Sequence, residues 1–196
     1  AGWPGGAGGG TGGGAGAGWE FQAAALGAQR RVYALDMPGQ YGLSVSHRPL
    51  RKMAEMLVWL DEVLAALGLS GVDLFGNSRG GAVAACYALH APSRIRRLGL
   101  IAPALTLLSM PLSAYLRSLP WLLGVTSAER FLRGLGPPGR AGHAPYEDRL
   151  RRVTRWMKAG RSHFGLQSAR FARLLSDEEL RGLSIPTLVV VGEHDM

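Results

Sequence analysis

Cysteine is almost absent: Cys86 stands alone among 196 residues. No intrachain disulfide can form, so nothing in the chain points to an oxidising compartment. Cys86 lies in an apolar helical stretch and reads as a core residue. Lysine is nearly as scarce, with only Lys52 and Lys158, and the other basic residues are arginines. Charged residues of any kind make up only 18% of the chain against 47% hydrophobic, which excludes disorder of the bulk by composition. No apolar run approaches the roughly 18 residues of a membrane span, and no stable membrane insertion is expected. The first residues lack both the basic start and the hydrophobic block of a signal peptide, so the cytoplasm is the expected compartment.

The charge that is present is unbalanced, at +8. It is densest from Arg149 to Arg173. One reading is a surface for nucleic acid or an anionic membrane. The other is an amphipathic helix with a solvated basic face, since Leu150, Val153 and Met157 recur at helical spacing. No nucleic-acid motif accompanies the charge, so the second reading is preferred and no nucleic-acid partner is expected.

Residues 1–18 are dominated by Gly and Ala and read as a flexible segment. "AGWPGGAGGG" is expected to form no strand, because glycine is weak in strands and Pro4 cannot donate to a ladder. From Trp19 the texture changes. "WEFQAAAL" suits a short helix, and "RRVYALD" a strand ending in the loop "MPGQYGLS". Residues 49–67 carry strong helical periodicity closed by Gly68. "GVDLF" is a strand, "GAVAACYALHA" a helix closed by Pro92, and "IRRLGLIAP" a third strand. A long helical, basic section follows. "SDEEL" has the form of a capping box. "IPTLVVVGEHDM" reads as a strand buried on both faces.

This alternation predicts an α/β domain with a mostly parallel central sheet flanked by helices. In such sheets sites form at the carboxyl ends of strands. Asp36, Ser78 and Asp195 fall at or just past such ends.

Gly76-Asn77-Ser78-Arg79-Gly80 matches G-x-S-x-G between a predicted strand and a predicted helix. That context is what a nucleophile elbow demands. Gly76, Gly80 and Gly81 let strand and helix approach closely. The amide of Arg79, at the helix start, would face a developing oxyanion. A phosphate-binding turn could share this geometry, but "GNSRGG" has neither the P-loop pattern nor G-x-G-x-x-G spacing.

With these residues in order, the chain resembles the α/β-hydrolase superfamily, specifically its lid-bearing, esterase-like serine hydrolases. "VYALDMPGQYGLS", the elbow core from "LRKMAEM" to "IAPA", and "IPTLVVVGEHD" carry the resemblance. It implies four parts. Residues 1–18 stand where the oxyanion loop would be, residues 19–103 form the core, residues 104–182 the helical lid, and residues 183–196 the strand delivering the triad acid. It implies Ser78 as nucleophile, Asp195 as the acid that orients the histidine, and the amides of Arg79 and Gly13 or Gly14 as the oxyanion hole. Thr11 would replace the family's histidine before that loop. The family's catalytic histidine follows the acid by some way, so it is expected outside this chain, which then reads as a fragment of poor activity alone. His47, His90, His143, His163 and His194 read as surface or packing residues. The Gly-rich start is either a divergent oxyanion loop or a faulty reading of the gene.

The implied activity is hydrolysis of carboxylic esters through an acyl-enzyme. Leu107, Leu108, Trp121, Leu122 and Leu123 in the lid point to a small-molecule ester with an apolar group. No cofactor and no metal is implied, because His and acidic residues lack ligand spacing. Acyl transfer or cofactor-free haloperoxidation could run on the same triad. The alternative is a truncated or scaffold protein that kept the fold without the chemistry.

Overall fold

Residues 6–9, 19–38, 44, 50–109, 112–136, 139, 141–164 and 173–192 are described by the structure, a computed structural model. Among the described residues, five parallel strands form one sheet in the order β2-β1-β3-β4-β5. They are β1 (Gly6–Gly9), β2 (Val32–Leu35), β3 (Val72–Asn77), β4 (Ile95–Ile101) and β5 (Thr187–Val190). Helices α1 (Glu20–Gly27), α2 (Met53–Ala66) and α3 (Arg79–His90) connect them, and a short 3-10 turn (Pro92–Arg94) leads into β4.

Two strands correct the sequence expectation. Gly6–Gly9 is a strand, not a flexible segment, and it pairs with both β2 and β3. A ladder is built from backbone amides and carbonyls, which glycine supplies in full. The entropy that glycine loses is offset by two ladders rather than one, and Pro4 falls before the strand. The second correction is β5. "TLVVV" was expected to be buried on both faces, yet Leu188 is 59% and Val191 60% exposed. Among the described residues β5 is the last strand of the sheet, and only β4 pairs with it.

The helix α2 follows from its pattern. Met56, Leu60 and Leu64 recur every fourth residue and are buried. Glu55 accepts from the amides of Arg51 (2.7 Å) and Lys52 (3.0 Å), satisfying donors ahead of the first turn. The far end closes in a Schellman motif: Leu69 N–H donates to Leu64 O and Gly68 N–H to Ala65 O, with Gly68 at φ +64°. The helix α3 is different in kind. Gly80 to Ala88 are buried on every side, and small residues there let it lie deep against the sheet. Tyr87, fully buried, donates its hydroxyl to Asp61 of α2 at 2.7 Å. Burial pushes the Cys86 thiol above its usual range, as suits a core residue.

Asp73 on β3 is a buried carboxylate at 2% exposure. Arg96 Nε donates to it at 3.0 Å and Arg30 at 3.3 Å, and Arg97 lies 4.0 Å away. The β3–β4 register sets Arg97 beside Asp73 near the amino end of β3, away from the elbow. The arginines are a quarter to a half exposed. Water therefore reaches them when the carboxylate is removed, which softens the loss of a buried pair. Asp73→Ala is expected to cost about 2 kcal/mol, read from the urea unfolding midpoint.

Beyond β4 come α4 (Leu112–Leu122), α5 (Ala128–Leu135) and α6 (Ala144–Phe164). Trp121 stacks on Phe131 with centroids 5.0 Å apart. Arg133 bridges Glu129 and Glu147 at 3.0 and 2.7 Å. In α6, Leu150 and Thr154 are buried while Arg149, Arg151, Arg155 and Lys158 are exposed. This is the amphipathic helix with a basic face that the spacing predicted. Leu108 and Leu123 are 81% and 68% exposed, and the side chain of Leu122 lies outside the described residues.

The helical section returns to the core through α7 (Asp177–Arg181). The expected capping box is present: Ser176 Oγ accepts from Glu179 N–H, and Glu179 accepts from Ser176 N–H. Arg173 donates to Glu179 at 2.7 Å. The Arg173 guanidinium first, and the Ser176 amide second, hold the Glu179 carboxyl down to about 2 from its usual 4.5. A depressed carboxylate contributes stability that is full above the unfolded value and lost as pH falls through the folded one. Stability is therefore expected to decline between about pH 4.5 and pH 2. Glu179→Gln should flatten that decline in pH-dependent urea midpoints.

Candidate active site

The β3–α3 junction carries the serine. Ser78 occupies the N-cap position of α3, where serine ordinarily turns its hydroxyl onto the backbone of the first turn. Here it makes no side-chain cap hydrogen bond, and its backbone stands at φ 50°, ψ −116°. A non-glycine residue at positive φ is strained, and such strain collects at functional sites. The turn thus leaves the hydroxyl unused by the helix at the carboxyl end of a central strand.

The glycines make the turn sterically possible. A Cβ on Gly76 would stand 2.3 Å from the Gly80 carbonyl oxygen and 2.6 Å from the Gly81 amide nitrogen. A Cβ on Gly81 would meet Pro103 at 2.9 Å. Asn77 donates through Nδ2 to Ile101 O at 3.2 Å, and Ser78 N–H donates to the same oxygen at 2.9 Å. The elbow is thereby fastened to the end of β4. Arg79 is the first residue of α3, where helical amides point outward and the helix dipole is positive.

The structure places Gly76, Asn77, Ser78, Arg79 and Gly80 together at this junction. Gly13, Gly14 and Asp195 lie outside the described residues, as do Thr11, His47 and His194, and the side chain of His163. The strands that lead to the first three are described. Gly9, the last residue of β1, is in register with Gly76, and Val190, the last of β5, with Ile101. Both strands end at the sheet edge that carries Ser78. His90 closes α3 some 16 Å along the helix axis from its start, beyond the reach of Ser78. His143 is exposed ahead of α6. Among the described residues no three His, Cys, Asp or Glu side chains cluster as a metal site would require.

Sequence reasoning missed the residues that brace the elbow. Ala102 and Leu105 have positive φ, at 41° and 48°, directly after β4. Neither is Gly or Asn, so no residue-type signal marks them.

A family model described as the alpha/beta hydrolase fold matches residues 3–196. The chain belongs to the α/β-hydrolase fold family. Carboxylesterase YbfK of Bacillus subtilis (strain 168) is 27% identical over 177 residues, 90% of this chain and 59% of that protein. A 2-hydroxymuconate semialdehyde hydrolase of Pseudomonas sp. (strain CF600) is 40% identical over 89 residues, 44% of this chain and 30% of that protein. The crystal structure of naproxen esterase (carboxylesterase NP) from Bacillus subtilis superposes with a TM-score of 0.79 at 23% identity. That match covers 98% of this chain and 67% of the other. This α/β-hydrolase chain spans about three-fifths of the length of the curated relatives it matches first. The parallel sheet, the flanking helices and the serine at a strand–helix turn accord with that membership.

Proposed function

We propose that the chain carries the nucleophilic half of a serine hydrolase that cleaves carboxylic esters through an acyl-enzyme. One observation carries this reading: an N-cap serine, strained to φ 50°, that does not cap its helix. A serine placed there for structure would take the hydroxyl–amide bond worth about 1 kcal/mol. The likeness to Carboxylesterase YbfK over 90% of the chain supports esters as the substrate class.

In this mechanism Ser78 Oγ attacks the ester carbonyl, and its proton passes to a histidine. The alcohol leaves, and an ester bond to Ser78 remains until water cleaves it. The Arg79 amide, with Gly13 or Gly14, holds the tetrahedral oxyanion. Asp195, on the segment following β5, orients the histidine. Residues 104–182 serve as a lid whose apolar side chains, Leu107, Leu108 and Leu123 among them, favour an apolar acyl or alcohol group. The substrate is a small molecule, and the reading calls for no cofactor and no nucleic acid.

The test is a series of p-nitrophenyl esters of rising acyl length with trapping of the intermediate. With the histidine-bearing segment supplied, a burst of one nitrophenol per chain, with the acyl mass mapped by peptide sequencing to Ser78, is the expected result. A folded protein that never acylates at Ser78 favours the non-catalytic scaffold instead.

A further inference from the structure

We propose that residues 102–106, which follow β4, are a positioning element for Ser78 and for the oxyanion donor beside it. The inference rests on the reading of Ser78 as nucleophile. It assigns a role to residues outside the triad.

Both peptide units flanking the Ser78 Cα are tied to this one turn. On the amino side, Ser78 N–H donates to Ile101 O at 2.9 Å. On the carboxyl side, Ser78 O accepts from Ala104 N–H at 3.0 Å, besides its ordinary helical bond from Ala82 at 3.2 Å. The second tie matters more for chemistry. The Ser78 carbonyl and the Arg79 N–H belong to one planar trans peptide and point in opposite directions. Whatever fixes the carbonyl also aims the amide. Ala104, together with the helical bond from Ala82, therefore sets the direction of the Arg79 amide.

The same turn reaches three other parts. Ala102 N–H donates to Val190 O at 2.8 Å, at the end of the strand that leads towards Asp195. Pro103 lies against Gly81 in the first turn of α3, where no Cβ fits. Thr106, fully buried, accepts through its carbonyl from Leu175 N–H at 3.0 Å, and its hydroxyl donates to Ala104 O at 2.8 Å. The start and the return of the helical section thus meet two residues from the bond that holds Ser78. A chain that turns back on the elbow within so few residues needs left-handed backbone, and Ala102 and Leu105 supply it at φ 41° and 48°.

The test varies backbone preference at these two positions. Asn and Gly adopt positive φ readily, whereas a β-branched residue resists it. Leu105→Val and Ala102→Val are expected to slow labelling of Ser78 by a fluorophosphonate at least about 10-fold, short of the roughly 10²–10³-fold lost when an oxyanion donor is removed outright. Circular dichroism should show them still folded at the assay temperature. Leu105→Asn and Leu105→Gly should keep the wild-type rate.

Val variants that label as fast as wild type overturn the proposal. So does a Leu105→Gly variant that is slow, which stands as a test even if both Val variants unfold. Hydrogen exchange of the Ser78 amide separates this proposal from the catalytic reading. If the wild type does not label at all with the histidine-bearing segment supplied, the nucleophile is refuted. The brace then stands or falls on whether the Ser78 amide exchanges faster in folded Leu105→Val than in Leu105→Gly.

Discussion

With the histidine-bearing segment supplied, Ser78→Ala is expected to abolish fluorophosphonate labelling and to lower ester turnover by roughly 10⁴-fold or more, with no loss of stability. The hydroxyl makes no cap bond, so removing it leaves the α3 start as it was. An ordinary N-cap serine would behave oppositely: alanine would cost about 1 kcal/mol and leave chemistry untouched. The pair of outcomes therefore separates a catalytic serine from a structural one in a single variant. Ser78→Gly sharpens the contrast. Glycine relieves the positive φ, which costs other residues roughly 1–2 kcal/mol, so the variant should melt about 2–8 °C higher while remaining inactive. A gain in melting temperature together with complete loss of labelling is the signature of strain kept for function. Residual turnover in Ser78→Ala above a tenth of wild type would move the nucleophile elsewhere.

How much of this was legible in the sequence depended on where each feature's cause lies. Met56, Leu60 and Leu64 announce α2 because helix periodicity is a property of side chains. The glycines around Ser78 are legible for a similar reason: their missing Cβ atoms are the cause of the turn. The strand at Gly6–Gly9 was not legible, since its cause is a slot between two other strands filled by backbone alone. The exposure of Leu188 and Val191 was misread because burial belongs to neighbours, and "TLVVV" carries no record of how many strands flank it. Asp73 hides inside an apolar strand sequence. Its partners Arg30 and Arg96 come from other parts of the chain and meet it only through sheet folding and register. Ala102 and Leu105 are the extreme case: ordinary residues forced into a glycine conformation by hydrogen bonds formed elsewhere.

Gly76→Ala should be the most damaging single substitution for the fold, costing about 3 kcal/mol or more in urea unfolding. The added methyl would lie 2.3 Å from Gly80 O, 2.5 Å from Gly80 C and 2.6 Å from Gly81 N. All three are backbone atoms, so no rotamer change relieves the contact. Either α3 lifts from β3 or the elbow unwinds. Lifting is costly because Gly80 to Ala88 are buried on every side, so a shift opens space along the whole helix. Gly99→Ala makes a useful comparison. Its methyl would meet Phe75 Cδ1 at 2.3 Å, just as close, but the obstacle is a half-buried ring that can turn. It should cost markedly less. Gly134→Ala, inside α5 with nothing within 4 Å, should instead stabilise by about 0.5–1 kcal/mol through helix propensity. If Gly76→Ala proved no worse than Gly99→Ala, the close approach of β3 and α3 would not be what holds Ser78 in its strained turn. The strain would then have to come from the β4 turn alone.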